Sequence, residues 1–159
     1  MQINYNSIGI IHTPYSERSG TPIQPVGAKG IKGTIELEEQ YIEALADLDG
    51  FSHIILIYHL HRSEGWKSAV TPFMDTVEHG VFATRAPARP NAIGLSVVQL
   101  LEVRGNKLLV SGVDILDGTP LLDIKPYVPA FDQIEAPRTG WLEKNAVKAT
   151  SQKADRRFQ

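Results

Sequence analysis

Apolar residues come along this chain in short runs separated by glycine, proline and small polar residues. Ser7 to His12 is rich in β-branched residues and predicts a strand, and Gly33 to Leu37 predicts a second. Residues 13 to 30 carry Pro14, Gly20, Pro22, Pro25, Gly27 and Gly30, the punctuation of one long loop. Loops that long within compact domains are often functional. Glu38 to Leu48 follows another period: Tyr41, Leu45 and Leu48 recur at four and three, Ile42 borders them, and Gly50 ends what the spacing predicts to be a helix.

Residues 53 to 61, His-Ile-Ile-Leu-Ile-Tyr-His-Leu-His, predict the strongest strand. Its first half is apolar on both faces, which places it centrally, and alternation puts His53, Ile55, Ile57, His59 and His61 on one side. Residues 62 to 76, with Trp66 and Pro72, read as loop, and Gly80 to Ala83 as strand-like. The runs 93 to 103 and 107 to 116 meet at Gly105-Asn106 and predict a hairpin. Residues 121 to 125 suit a short last strand, 141 to 150 a short helix, and Lys153 to Gln159 a frayed end. Five or more strands against one clear helix predict a mainly β, single domain: a barrel or curled sheet.

Composition narrows this. A chain of 159 residues with 42% hydrophobic and 21% charged residues matches a soluble domain with a real core. No apolar run reaches membrane-spanning length, and Met1 to Asn6 lacks the features of a signal peptide, so a cytoplasmic protein is expected. Without cysteine there are no disulfides or thiolate metal sites. The net charge of −2 hides an asymmetry: residues 1–137 hold 10 Lys/Arg against 16 Asp/Glu, residues 138–159 six against two. The division expected is therefore a barrel domain over 1–137 and a short basic tail, part helical, over 138–159. An acidic body is not the footprint of a dedicated nucleic-acid binder, although a local basic face can serve one.

Candidate chemistry centres on residues 80 to 96, Gly-Val-Phe-Ala-Thr-Arg-Ala-Pro-Ala-Arg-Pro-Asn-Ala-Ile-Gly-Leu-Ser. Pro87 and Pro90 stiffen a loop holding Arg85, Arg89 and Asn91. Two guanidiniums on a rigid loop suit a carboxylate, a phosphate or a ring face; the alternative is two surface arginines on a turn. His59 and His61 share a strand face and could join His53 or His79 around a metal, but no acidic cluster or helical His pair completes such a site, and no metal is expected. Asp117-Gly118-Thr119-Pro120 is a turn by composition that also exposes main-chain polar groups. Asp123 and Lys125 share a strand face, as an ion pair flanking the sheet or as polar groups near a pocket. Tyr127 could stack on a base. Gly27, Gly30 and Gly33 are three apart after a loop and do not make a Rossmann turn.

The wording of residues 80 to 96 closely resembles the signature of the TsaA-like (TrmO-type) family of S-adenosylmethionine-dependent tRNA methyltransferases. Further stretches match in order: Ile8 to Ile11, Gly50 to His53 running on to His59-Leu60-His61, Asp117 to Pro120, and Leu122 to Tyr127, so the resemblance covers roughly residues 7 to 132. It implies a single non-Rossmann β-barrel and a homodimer with S-adenosylmethionine as methyl donor. It further implies transfer to the exocyclic amine of threonylcarbamoyl-adenosine in the tRNA anticodon loop. Pro22, Ile23, Gln24, His61, Arg62, Arg85, Leu95, Leu116, Asp117, Gly118 and Thr119 are then expected at the donor pocket. Arg89 and Asn91 hold the loop or face the substrate, with Asp123, Lys125 and Tyr127 as further substrate candidates. No catalytic group is assigned. Bacterial members carry Pro-Arg-Gln where this chain has Pro22-Ile23-Gln24, and Ile23 offers apolar contact but no ionic one. They also carry an extra C-terminal domain linked to tRNA binding. The rival readings are the same donor used on a small molecule or protein, and a module that binds the donor without catalysis.

Overall fold

A computed structural model describes residues 1–17 and 19–155. Six antiparallel strands close into a barrel: β1 (Gly9–His12), β2 (Lys32–Leu37), β3 (His53–His59), β6 (Ile93–Arg104), β7 (Lys107–Ser111) and β8 (Thr119–Pro126). Their order around the barrel is β1-β2-β7-β6-β3-β8, and β8 returns to β1. Two further strands, β4 (Ala69–Val70) and β5 (His79–Gly80), form a separate ribbon. The fold is mainly β and non-Rossmann, as the strand count predicts.

The barrel core follows the period-two pattern. Ile11, Ile35, Ile54, Leu56, Leu108 and Leu121 are all fully buried, each on the inward face of its strand. β3 lies between β6 and β8. Ile54, Leu56 and Tyr58 point inward, and Ile55 and Ile57 are half-buried outside.

Several elements differ from the sequence reading. Glu38 to Leu48 is not an α-helix but 3-10 turns over Glu39–Leu45 and Leu48–Gly50. Between them Asp47 adopts φ 65°, which ends any continuous helix. This break lets Leu45 and Leu48 both pack against the barrel core. Residues 62–76 include β4, and of Gly80 to Ala83 only Gly80 is strand; Val81–Ala83 is a 3-10 turn that buries Val81. The second arm of the hairpin leaves the sheet at Ser111: Gly112, at φ 86°, redirects the chain so that Val113 and Ile115 fill the core.

The C-terminal segment folds back as 3-10 turns over Gly140–Glu143 and Ala146–Thr150. Ala149 is buried there, its carbonyl so near Gly27 that an added Cβ would lie at 2.9 Å. Frayed structure was expected from Lys153; instead Lys153 bridges Pro22, and Gly20 and Ala154 exchange contacts with the 20s loop, Gly20 N–H to Ala154 O at 2.9 Å and Ala154 N–H to Thr21 O at 2.8 Å. Arg156 and Arg157, counted in the basic tail, lie outside the described residues. The described α-helix is the single turn Pro129–Asp132. No described helix is long and apolar enough to cross a membrane.

Candidate functional site

One end of the barrel opens into a cleft of about 1030 Å³. Strand ends supply the floor, Tyr58 from β3 with Gly94 and Ser96 from β6, and Leu95 of β6 lines the exposed rim. The 20s loop brings Thr21 to Val26, the Pro-stiffened loop brings Phe82 to Pro87 with Arg89, and the crossing segment brings Asp114 to Leu116. Pro72 to Met74 line another part, and Trp141, Leu142, Ala146 and Ala149 of the C-terminal segment form a further wall.

Arg85 reaches across from its loop and donates from Nη1 to Gln24 Oε1 at 2.9 Å, so two loops distant in sequence meet over the opening. Arg89 is committed differently. Its Nη1 donates to Thr84 O at 2.7 Å and Val81 O at 3.1 Å, and its guanidinium lies 5.9 Å from the Phe82 ring centroid. It binds its own loop into shape while still lining the cleft. Arg62 donates to Ser16 O at 2.7 Å from the rim. His61 and Thr119 meet at 3.3 Å, Nδ1 to Oγ1, and the Thr119 hydroxyl donates to Leu116 O at 2.7 Å.

The cleft thus gathers Pro22, Ile23, Gln24, His61, Arg62, Arg85, Leu95, Leu116 and Thr119. Asp117 and Gly118 shape the turn behind it. Asp117 Oδ1 accepts from Thr13 N–H at 3.0 Å and sits 3.4 Å from His12 Nδ1; the Thr13 bond first, and His12 after it, hold its carboxyl below the usual carboxylate range. Gly118 takes φ 74° and donates its N–H to Ile11 O. Asn91 lies outside the cleft lining, its carbonyl accepting from Ile93 N–H at 2.8 Å. Asp123 and Lys125 form an ion pair at 2.8 Å, half-exposed. Tyr127 packs edge-on against His53 at 6.4 Å. β3 pairs with β8 from Ile54↔Pro126 to Tyr58↔Leu121, and Tyr58 marks the cleft, so Tyr127 stands at the opposite end of the barrel.

Sequence reasoning passed over the polar floor. Tyr58 Oη lies 3.0 Å from Ser96 Oγ, and Ser96 donates to Asp114 Oδ1 at 2.7 Å. Burial pushes the Asp114 carboxyl up to about 6, against the opposing effects of Ser96, its own main chain and Arg85. Burial first, and the Asp114 charge second, also raise the Tyr58 phenol and, to a lesser extent, that of Tyr15. The available signal was Asp114 itself, the one charge in the apolar run 108 to 116. Trp141 was passed over too: its Nε1 donates to Ala83 O at 2.8 Å and its ring stacks on His79 at 4.7 Å. No group of three or more His, Cys, Asp or Glu among the described residues is placed to hold a metal.

Comparison with known proteins bears on what this cleft is for. Residues 10–133 match the family model described as the tRNA-methyltransferase O N-terminal domain. A probable S-adenosyl-L-methionine-binding protein of Pyrococcus abyssi is 56% identical over 158 residues, 99% of this chain and 86% of that protein. The tRNA (adenine(37)-N6)-methyltransferase of Escherichia coli is 39% identical over 82% of this chain, which spans 60% of the enzyme's length. The crystal structure of TrmO from Pseudomonas aeruginosa superposes with a TM-score of 0.75 at 40% identity, over 89% of this chain and 63% of that one. The match begins within β1 and takes in both cleft loops and all of β8, and the chain belongs to the tRNA-methyltransferase O N-terminal domain family.

Proposed function

We propose that this protein is an S-adenosylmethionine-dependent methyltransferase that methylates the exocyclic nitrogen of threonylcarbamoyl-adenosine in the tRNA anticodon loop. The observation that carries this reading is the cleft, where Arg85 and Gln24 meet from separate loops within the stretch shared with the family. Its fit to the donor rests on chemistry: a nucleoside joined to an amino acid needs apolar walls for its base and polar groups for its ends. Ile23, Leu95 and Leu116 supply apolar walls, and Arg85, Gln24 and the main chain around Leu116 and Thr119 supply polar ones. At about 1030 Å³ the space admits the donor with part of an acceptor.

The bound donor's sulfonium supplies an electrophilic methyl group. The chain's task is then to align the acceptor nitrogen, exclude water and receive a proton. Arg89 holds the loop that carries Arg85, so the guanidinium of Arg85 is presented from a fixed backbone. Phe82, Trp141 and Leu142 provide the apolar cover.

The acceptor tRNA is the expected partner. The barrel over 1–137 would hold the donor, and the basic segment 138–159 would meet phosphates through Lys144, Lys148, Arg156 and Arg157. A homodimer and a cytoplasmic location complete the reading. The exposed rim of Phe82, Ile93 and Leu95 supports a self-association surface beside the cleft, which light scattering tests.

One observation favours a second reading. The relative from Pyrococcus abyssi is named for donor binding alone, which fits a module that binds the donor without transfer, or a different methyl acceptor. Incubation with labelled donor and bulk tRNA from a strain lacking the modification separates these. Label in the tRNA supports the methyltransferase. Calorimetric binding of donor with no label in tRNA favours the second reading, and no binding at millimolar donor ends both.

A further inference from the structure

The polar floor of the cleft is unusual for a barrel core. Ser96 is 1% exposed and Tyr58 7%, and both lie among aliphatic side chains. Ser96 has a single proton and gives it to Asp114, so the phenol of Tyr58 must donate to Ser96. The order of the relay is therefore set: Tyr58 to Ser96 to the Asp114 carboxylate. Such a chain is costly in a core unless complete, and apolar residues of similar volume would serve packing at least as well. Among the described residues Asp114 forms no ion pair. Arg85 is near enough to favour its charge but is hydrogen-bonded to Gln24. Val113 and Ile115 on either side are buried in the core, while Asp114 keeps surface on the cleft.

We propose that Asp114, held at the cleft floor by Ser96 and Tyr58, accepts the proton of the acceptor nitrogen during methyl transfer. This rests on the methyltransferase reading above. The nitrogen of a carbamoylated adenine is conjugated on both sides and weakly basic, so attack without loss of its proton would leave a poorly stabilised cation. In the step, the nitrogen's electron pair forms the new N–C bond. The C–S bond breaks with its pair remaining on sulfur as a thioether. The N–H proton passes to an Asp114 carboxylate oxygen and leaves later through the cleft.

Two other acceptors line the cleft: Asp155 is exposed, and His61 lies in the turn after β3 beside Thr119. With its carboxyl raised to about 6, Asp114 is a stronger base than an ordinary aspartate. It is still mostly ionised at pH 7, near the optimum for a general base. The groups facing it are Tyr58 from β3, Ser96 from β6, Arg85 from the stiff loop and Tyr15 from the long loop after β1. Ser96 and Tyr58 are positioning residues: they act through the carboxylate.

The test compares wild type with Asp114→Asn, Ser96→Ala, Tyr58→Phe and His61→Gln. It measures donor binding by calorimetry, single-turnover transfer to tRNA against pH, and titration of the labelled Asp114 carboxyl by carbon NMR. Asp114→Asn should keep donor affinity within about threefold and lose on the order of 10²–10⁴ in transfer rate. Wild-type transfer should fall on an acidic limb matching the NMR titration. Ser96→Ala should move limb and titration together to higher pH, because a bond that favours the charged form is gone. Transfer by Asp114→Asn within about threefold of wild type, or an acidic limb abolished by His61→Gln instead, overturns this proposal alone. A wild type that binds donor and methylates no tRNA overturns it together with the function it rests on.

Discussion

The ring of Tyr58 lies on the main chain of Gly94, its partner across the β3–β6 ladder, so closely that a Cβ on Gly94 would overlap three ring atoms. The absence of a side chain there is what lets the phenol lie flat and reach Ser96 two residues further along β6. Gly94→Ala must push the ring aside in a packed core. Overpacking of this kind costs about 1–3 kcal/mol, and a thermal melt should fall by several degrees. An unchanged melting temperature would show that the ring has room to move.

The half-buried Asp114 makes stability depend on pH in a defined direction. Its folded-state carboxyl is raised to about 6, so the folded protein binds the proton more tightly than the unfolded chain. The stabilising contribution of the protonated form is complete below the unfolded value near 4 and is lost as pH rises through about 6. Asp114→Asn should therefore gain stability over wild type between pH 4 and pH 7, by roughly 2–3 kcal/mol at most. Urea unfolding at the two pH values measures the difference. A gain that is the same at both would show that the carboxyl is not perturbed.

Arg85 is exposed and bonded to Gln24, with no role in the core. Arg85→Lys keeps the charge but loses the planar fork. Donor binding should weaken by on the order of tenfold, with stability within about 0.5 kcal/mol of wild type. If melting falls sharply and donor binding stays normal, Arg85 acts as a structural clasp between loops.

The C-terminal segment carries two separable roles. Trp141→Ala removes both the bond to Ala83 and the stack on His79, and should weaken donor binding and expose the segment to protease. Neutralising Lys144 and Lys148 should leave donor binding unchanged and flatten the salt dependence of tRNA binding by up to about two phosphate equivalents. Lys148 gives the smaller share, because its Nζ already donates to Asn145 Oδ1 at 2.7 Å and to Met74 O at 3.2 Å. An unchanged salt slope in the double variant would remove these two lysines from tRNA contact.

The strands were legible because a half-buried strand writes its period directly into the sequence: Ile54, Leu56 and Tyr58 alternate with outward residues in the plain text. Glu38 to Leu48 misled because 3-10 turns and an α-helix share nearly the same spacing over so few residues, and nothing in the sequence marks Asp47 as a left-handed residue. The floor of the cleft was not legible, because Asp114 meets Ser96 only after Gly112 turns the chain across the barrel end. Arg85 and Gln24 stood out as polar loop residues, but their contact across 61 positions is a product of the closed barrel. Asp123 and Lys125 read correctly as sharing a face; which end of β8 opens to the cleft is fixed by pairing with β3, and pairing is not written locally.

The seam between β1 and β8 has a consequence for how the protein is made. Gly9, Ile10 and Ile11 pair with Leu121, Pro120 and Thr119, so the first strand of the barrel to be made is completed by the last one. At about 5–20 residues per second, β1 waits roughly 5–20 s for its outer partner, with one edge of main-chain donors and acceptors unsatisfied. The β6–β7 hairpin needs no such wait, because its arms are joined at Gly105-Asn106. Closure thus waits for β8, and a chain ended before Thr119 is left with two open edges, the template on which unfinished copies pair with one another.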